Sequence, residues 1–85
     1  MRAYIQSIAF EQDPNPNNVQ IRITTQIVKD DGTVVGFDAY ASVDQDATLA
    51  SMQTAVLTAV RNSSVGYGIG VIPANRVLMP SFTKG

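Results

Sequence analysis

The clearest pattern in the chain is a strict alternation of apolar and polar residues between positions 19 and 27. Its buried set is predicted to be Val19, Ile21, Ile23, Thr25 and Ile27, separated by Gln20, Arg22, Thr24 and Gln26. Because successive side chains of a β-strand point to opposite faces of a sheet, the pattern predicts a half-buried strand. A second alternation runs over 35–43, after the turn sequence Asp30-Asp31-Gly32. Together the two runs predict a long hairpin with arms 19–29 and 33–43.

The two apolar rows also predict the length of the hairpin loop. A two-residue loop, Asp31-Gly32, places the rows on opposite faces of the sheet. A three-residue loop, Asp30 to Gly32, pairs Ile27 with Val35 and brings both rows to one face. We therefore expect a type I turn closed by Gly32 in the left-handed conformation, as a G1 bulge.

The hairpin is long for a chain of 85 residues. Each fully extended arm spans roughly 35 Å, whereas a compact globule of this length has a diameter of about 30 Å. We therefore expect either bent strands or a projecting tip. Ahead of the hairpin, residues 2–10 predict a first strand, with Tyr4, Ile8 and Phe10 on one face and Ile5 on the other.

From position 46 the apolar spacing changes from two to three and four. The residues that share this spacing are Leu49, Met52, Val56, Ala59 and Val60. They predict an amphipathic helix over about 46–62, with Asp44 or Asp46 as its N-cap. Thr and Ser residues occupy the opposite face, which can therefore pack against another surface without desolvating a charge.

The tail predicts one or two short strands, over 69–72 and 77–79, bounded by prolines as edge strands are. The predicted fold is α+β: a three- to four-stranded antiparallel sheet with one helix packed on one face, in the order β-β-β-α-β. We expect 1–85 to be a single small domain, with 66–85 as an extended tail that contacts a partner or neighbouring subunit. The predicted core is Ile21, Ile23, Ile27, Val35, Phe37, Ala39, Val43, Leu49, Met52, Val56 and Val60.

Composition narrows the classes of function. Charged residues make up 15% of the chain and its net charge is −1, which gives no electrostatic basis for binding nucleic acid or an anionic membrane. The chain has neither Cys nor His, so disulfides, thiolate chemistry, the usual zinc sites and histidine-based triads are excluded. We expect cytoplasmic synthesis, because neither a signal peptide nor a transmembrane segment is recognisable.

Three motifs superficially suggest chemistry. The glycines of 66–70 follow a predicted helix, whereas a phosphate loop precedes one. The run 13–17 opens like a calcium loop but lacks the Gly and Glu that complete it. Turns and a helix cap explain Asp30, Asp31, Asp44 and Asp46, which leaves Asp38. We therefore expect no enzyme activity, no cofactor, no metal site and no evident small-molecule substrate.

A small basic patch is the last candidate. Arg22, Lys29 and Arg76, with Tyr40 and Tyr67 for stacking, form too sparse a set for a nucleic-acid surface. We interpret these cations as solvated surface charges.

Exposed apolar residues are the most informative functional feature. Val28, Val34 and Tyr40 are predicted on the outer face of the hairpin, and the apolar tail has little core left to enter. The tail either covers part of the second sheet face or meets other chains. We favour a non-enzymatic structural or interaction subunit of a larger homo-oligomeric assembly, for which a phage or viral particle is one setting. The candidate interface residues are Tyr40, Arg76, Val77, Leu78, Met79 and Phe82.

The alternative is a small monomeric protein-binding module or inhibitor. It would present the 13–18 loop or the 30–32 hairpin tip to one partner. Deletion of 77–85 separates the two hypotheses, because it should abolish self-association only under the first.

Overall fold

Three long antiparallel strands and one helix form the body of the molecule. The computed structural model describes residues 1–79. The elements are β1 (Arg2–Gln12), β2 (Asn18–Val28), β3 (Val34–Asp44), α1 (Leu49–Gly66), a 3₁₀ turn (Ala74–Arg76) and β4 (Val77–Leu78). They form one mixed sheet in the order β3-β2-β1-β4, with α1 packed on one face, so the predicted α+β fold is confirmed.

The direction of the fourth strand differs from the prediction. β4 runs parallel to β1, pairing Ala3 with Val77 and Tyr4 with Leu78. Because β3 ends at the far end of the sheet, α1 carries the chain back to the end where β1 begins. β4 therefore enters beside β1 in the same direction, and the sheet is mixed rather than wholly antiparallel.

The hairpin register is confirmed. Ile27 pairs with Val35, and the backbone N–H of Lys29 donates to the Thr33 carbonyl at 2.9 Å. Gly32 has a φ of +88°, the left-handed conformation that closes the three-residue loop. The molecule measures 42 × 23 × 17 Å, so its long axis accommodates arms that a compact globule could not.

The first strand contains a β-bulge that the sequence interpretation missed. Ile5 pairs with Thr25 and Ser7 with Thr24, so Gln6 is an extra residue. Because one extra residue reverses the alternation, Ile5 and Ile8 lie on the same face of the sheet. The prediction that Ile8 shares a face with Tyr4 and opposes Ile5 is therefore wrong.

The helix begins and ends later than the predicted 46–62. Its N-cap is Thr48, whose hydroxyl accepts a hydrogen bond from the Ser51 N–H at 3.1 Å. Asp44 instead accepts one from the Asp46 N–H at 2.8 Å and forms a separate turn before the helix. At the other end, the buried Ser64 hydroxyl donates to the Gly70 carbonyl at 2.7 Å, which anchors the chain as it leaves α1.

Ten hydrophobic residues form the buried core. They are Ala3, Ile5, Ile21, Ile23, Ile27, Ala39, Met52, Val56, Val60 and Ile72. Seven were predicted; of the others predicted, Val35, Phe37 and Val43 are half-buried and Leu49 is 39% exposed. Leu49 lies in the first turn of α1, beside the cap. Thr25 is also buried, and its hydroxyl has no hydrogen-bond partner among residues 1–79.

Candidate interaction surface

One face of the sheet packs against α1, and no element within residues 1–79 covers the opposite face, which we call the outer face. The strand registers place on it Arg2, Tyr4, Ser7, Ala9 and Glu11 of β1, Asn18, Gln20, Arg22, Thr24, Gln26 and Val28 of β2, Val34, Gly36, Asp38, Tyr40, Ser42 and Asp44 of β3, and Leu78 of β4. None of these residues is buried, whereas every buried strand residue points to the opposite face, the one on which α1 packs. The outer face is therefore a broad surface available to a partner.

Large apolar side chains interrupt this otherwise polar face. Tyr40 and Val34 are each 54% exposed, Leu78 is 45% exposed and Tyr4 is 37% exposed. The register places Val34 beside the half-buried Val28, and Leu78 beside Tyr4. The predicted outer positions of Val28, Val34 and Tyr40 are thus confirmed.

A hollow lies at Gly36, in the middle of the hairpin. Its volume is about 320 Å³, and it is lined by Gln6, Thr24, Thr25, Gln26, Gly36, Phe37 and Asp38. A Cβ atom added at Gly36 would lie 3.8 Å from the Thr25 carbonyl oxygen, an ordinary contact distance. The hollow therefore exists because Gly36 has no side chain. Close backbone packing does not require a glycine at this position.

Charge is distributed unequally along the long axis. At the end with the hairpin tip, which we call the basic end, Arg2 and Arg76 line two shallow hollows of about 350 and 370 Å³, one of them also lined by Lys29. Neither arginine side chain makes a hydrogen bond or ion pair within the described part of the chain. The opposite end, the acidic end, carries Glu11, Asp13, Asp44 and Asp46.

The predicted basic patch is arranged differently from the expectation. Arg22 lies in the half of β2 nearer the acidic end, where it pairs with Glu11 at 3.6 Å between Nε and Oε1, so it is separated from Lys29 and Arg76 at the basic end. Arg2 takes its place beside Arg76. No sequence pattern marks Arg2, because only the parallel pairing of β4 with β1 brings residues 2 and 76 together.

Two aspartates at the hairpin tip accompany the basic end. The Met1 amine forms an ion pair with Asp30 and holds the pKa of that carboxyl below its usual value. The Thr33 backbone N–H, 2.9 Å from the carboxylate oxygen, lowers the pKa of Asp31. Both carboxylates therefore stay ionised at neutral pH.

The predicted interface residues of the tail separate into two groups. Leu78 lies on the outer face beside Tyr4, and Arg76 is exposed at the basic end. Val77 and Met79 are partly buried and pack against the core of their own chain. Phe82 lies outside the described residues.

β3 has one unpaired edge along its whole length. Lys29 donates to Thr33 and Gln45 to Asn17, each at 2.9 Å, so the odd-numbered residues of β3 exchange bonds with β2. The N–H and C=O groups of the even-numbered residues from Val34 to Ser42 point away from β2. No described strand pairs with this side.

The 13–18 loop is held by its own hydrogen bonds. The Ser42 hydroxyl donates to Asp13 at 2.8 Å, and the Asn18 side chain donates to the Ser42 hydroxyl at 3.0 Å. Within the loop, the Asn17 N–H donates to the Asn15 side chain at 3.0 Å. Several of its polar groups are therefore engaged within the chain.

The described residues show no group of three or more His, Cys, Asp or Glu side chains arranged to hold a metal ion. No helix in residues 1–79 is long and apolar enough to cross a membrane. No protein-family model, curated protein or solved structure matches this chain.

Proposed function

We propose that this protein is a non-enzymatic structural subunit that associates with copies of itself in a larger homo-oligomeric assembly. The observation that carries the proposal is the outer face. It extends over three strands of 11 residues that hold three exposed large apolar side chains, and Leu78 of β4 adds a fourth, with no covering element among residues 1–79. Apolar residues gathered on one uncovered face are typical of surfaces that bind protein.

The outer face is large enough for a stable contact. A strand of 11 residues is about 36 Å long, and three adjacent strands are about 14 Å wide. Two such faces in contact cover roughly 1,000 Å² in total, the lower bound for a specific interface. Contacts outside the three strands, at Leu78 and Arg76, enlarge this area.

A second surface supports an assembly of more than two copies. The unpaired edge of β3 contains no Pro or Lys, the residues with which proteins commonly protect sheet edges. Its free backbone groups can accept a strand from another chain. A phage or viral particle is the setting we propose, on the basis of the charge-poor, Cys-free composition.

The competing function, a monomeric binding module, draws less support from the geometry. The 13–18 loop uses polar groups in its own hydrogen bonds, and the tip aspartates bind the Met1 amine and the Thr33 N–H. The exposed apolar side chains of the outer face are not engaged in comparable hydrogen bonds or ion pairs among residues 1–79.

The test is the mass of the purified full chain in solution, measured by size-exclusion chromatography with light scattering over a concentration series. We expect a discrete oligomer of the 9.1 kDa chain whose population rises with concentration. A 9.1 kDa monomer at the highest concentration tested would contradict the proposal and favour the binding module.

A further inference from the structure

We propose that two copies pack outer face against outer face about a two-fold axis, each placing Tyr40 in the Gly36 hollow of the other. This inference rests on the proposed self-association and specifies its contact. It follows from three matches on the outer face, in position, in size and in charge.

The first match is positional. The registers align Ser7, Thr24 and Asp38 in one row across the middle of the outer face. Tyr40 lies one row toward the acidic end and Gly36 one row toward the basic end, on the same strand. A two-fold axis along the Asp38 row exchanges these rows, so each tyrosine faces the partner's glycine.

The second match is in size. Tyr40 is 54% exposed, and the Gly36 hollow has a volume of about 320 Å³ with Gln6, Gln26 and Asp38 around it. An aromatic ring gains most from burial when its hydroxyl also finds a partner, and these side chains supply one.

The same operation repeats the size match on β1. Tyr4 lies in the row of Gly36, and Ala9 lies in the row of Tyr40. The two tyrosines of one copy, Tyr40 and Tyr4, therefore each face a small residue of the other. This reciprocity is the property that an isologous interface requires.

The third match is in charge. The axis places the basic end of one copy over the acidic end of the other. Arg2 lies two rows from the centre in one direction and Glu11 two rows in the other, so their rows face each other across the contact. The Arg2 side chain has no intramolecular partner among residues 1–79, so it is free to pair with Glu11 of the other copy. Complementary ends also orient the two copies during encounter.

The central row contains an unfavourable contact. Asp38 approaches its own symmetry mate at the margin of the face, where like charges oppose association. Replacing Asp38 with Asn should therefore strengthen the dimer, which distinguishes this arrangement from any in which Asp38 is remote from the contact.

The decisive experiment compares the dimer dissociation constants of three full-length variants by analytical ultracentrifugation. Gly36→Val places a branched side chain in the hollow, and it suits the monomer because Gly36 has no positive φ and a strand favours a β-branched residue. Tyr40→Ala removes the side chain that enters the hollow. Tyr67→Ala is the matched control, because Tyr67 is 64% exposed but contacts Phe37 on the α1 side of the sheet.

We expect Gly36→Val and Tyr40→Ala each to raise the dissociation constant by at least about tenfold, and Tyr67→Ala to leave it unchanged. Thermal unfolding at low concentration verifies that Gly36→Val folds. A wild-type dimer that is insensitive to both changes, or weakened by Asp38→Asn, overturns this inference and leaves the proposed self-association intact. A monomeric wild-type chain overturns both.

Discussion

The two faces of this sheet come from the same strands and differ in almost every physical property. Beneath α1, alternate residues of β2 are isoleucines and a threonine, all buried. On the outer face the intervening residues are Gln, Arg, Thr and Val, and none is buried. The difference teaches that folding of the monomer buries one half of the sheet and leaves the other half exposed.

The strongest test of this comparison places equal truncations on the two faces. We expect Ile23→Ala to lower the free energy of unfolding by about 2–5 kcal/mol, because it opens a cavity in the core. Gln26→Ala, on the exposed outer face of the same strand, should change it by less than about 0.5 kcal/mol. Urea denaturation of the monomer measures both. Similar losses for the two variants would contradict the division of roles.

A smaller effect concerns the polar exception beneath α1. The buried Thr25 hydroxyl has no hydrogen-bond partner among residues 1–79, and such a group lowers stability by about 1–3 kcal/mol. Thr25→Val removes the hydroxyl and keeps the branched shape. We expect the unfolding free energy to rise by roughly 1 kcal/mol in the same denaturation experiment. An unchanged or lower value would show that the hydroxyl is satisfied in solution.

The smallest effect sharpens the account of the outer face. Arg2→Glu and Glu11→Arg should each weaken the homodimer by a few-fold, because each creates like charges across the contact, and rim charges contribute little. An equimolar mixture of the two variants should restore association, since every cross-contact then joins opposite charges. Native mass spectrometry identifies the heterodimer. A purely homodimeric or monomeric mixture would contradict the two-fold arrangement.

The spacing of apolar residues predicts the features that depend on a regular repeat. It misses the features that depend on a small departure from that repeat. The hairpin register followed from the alternating rows of β2 and β3, because only one loop length places both on one face. The β1 bulge is visible as a break in the alternation between Ile5 and Ile8. A prediction of one continuous strand over these residues overlooks it. The predicted helix start is too early because Asp44 and Asp46 precede Thr48. Aspartate is common both as a helix N-cap and in turns, so its presence does not distinguish the two.

The candidate surface was partly predictable. Tyr40 and Leu78 were identified as interface residues by their apolar character, and the structure places both on the outer face. The hollow at Gly36 is predictable in principle, because a glycine inside a strand pattern marks a missing side chain. The proximity of Arg2 and Arg76 had no local signal, since it depends on the parallel pairing of β4.

The two edges of the sheet differ in a way that limits how the assembly can grow. β3 offers 11 residues of unprotected edge, whereas the other edge is interrupted by the Gln6 bulge and carries a β4 of only two residues. Endless fibres formed by strand addition need two compatible edges on every copy. A sheet with one receptive edge can accept a neighbour there but cannot pass the pattern on. Strand addition in this protein is therefore expected to end at a pair, and growth of the proposed assembly beyond that pair needs the second contact, through the outer face.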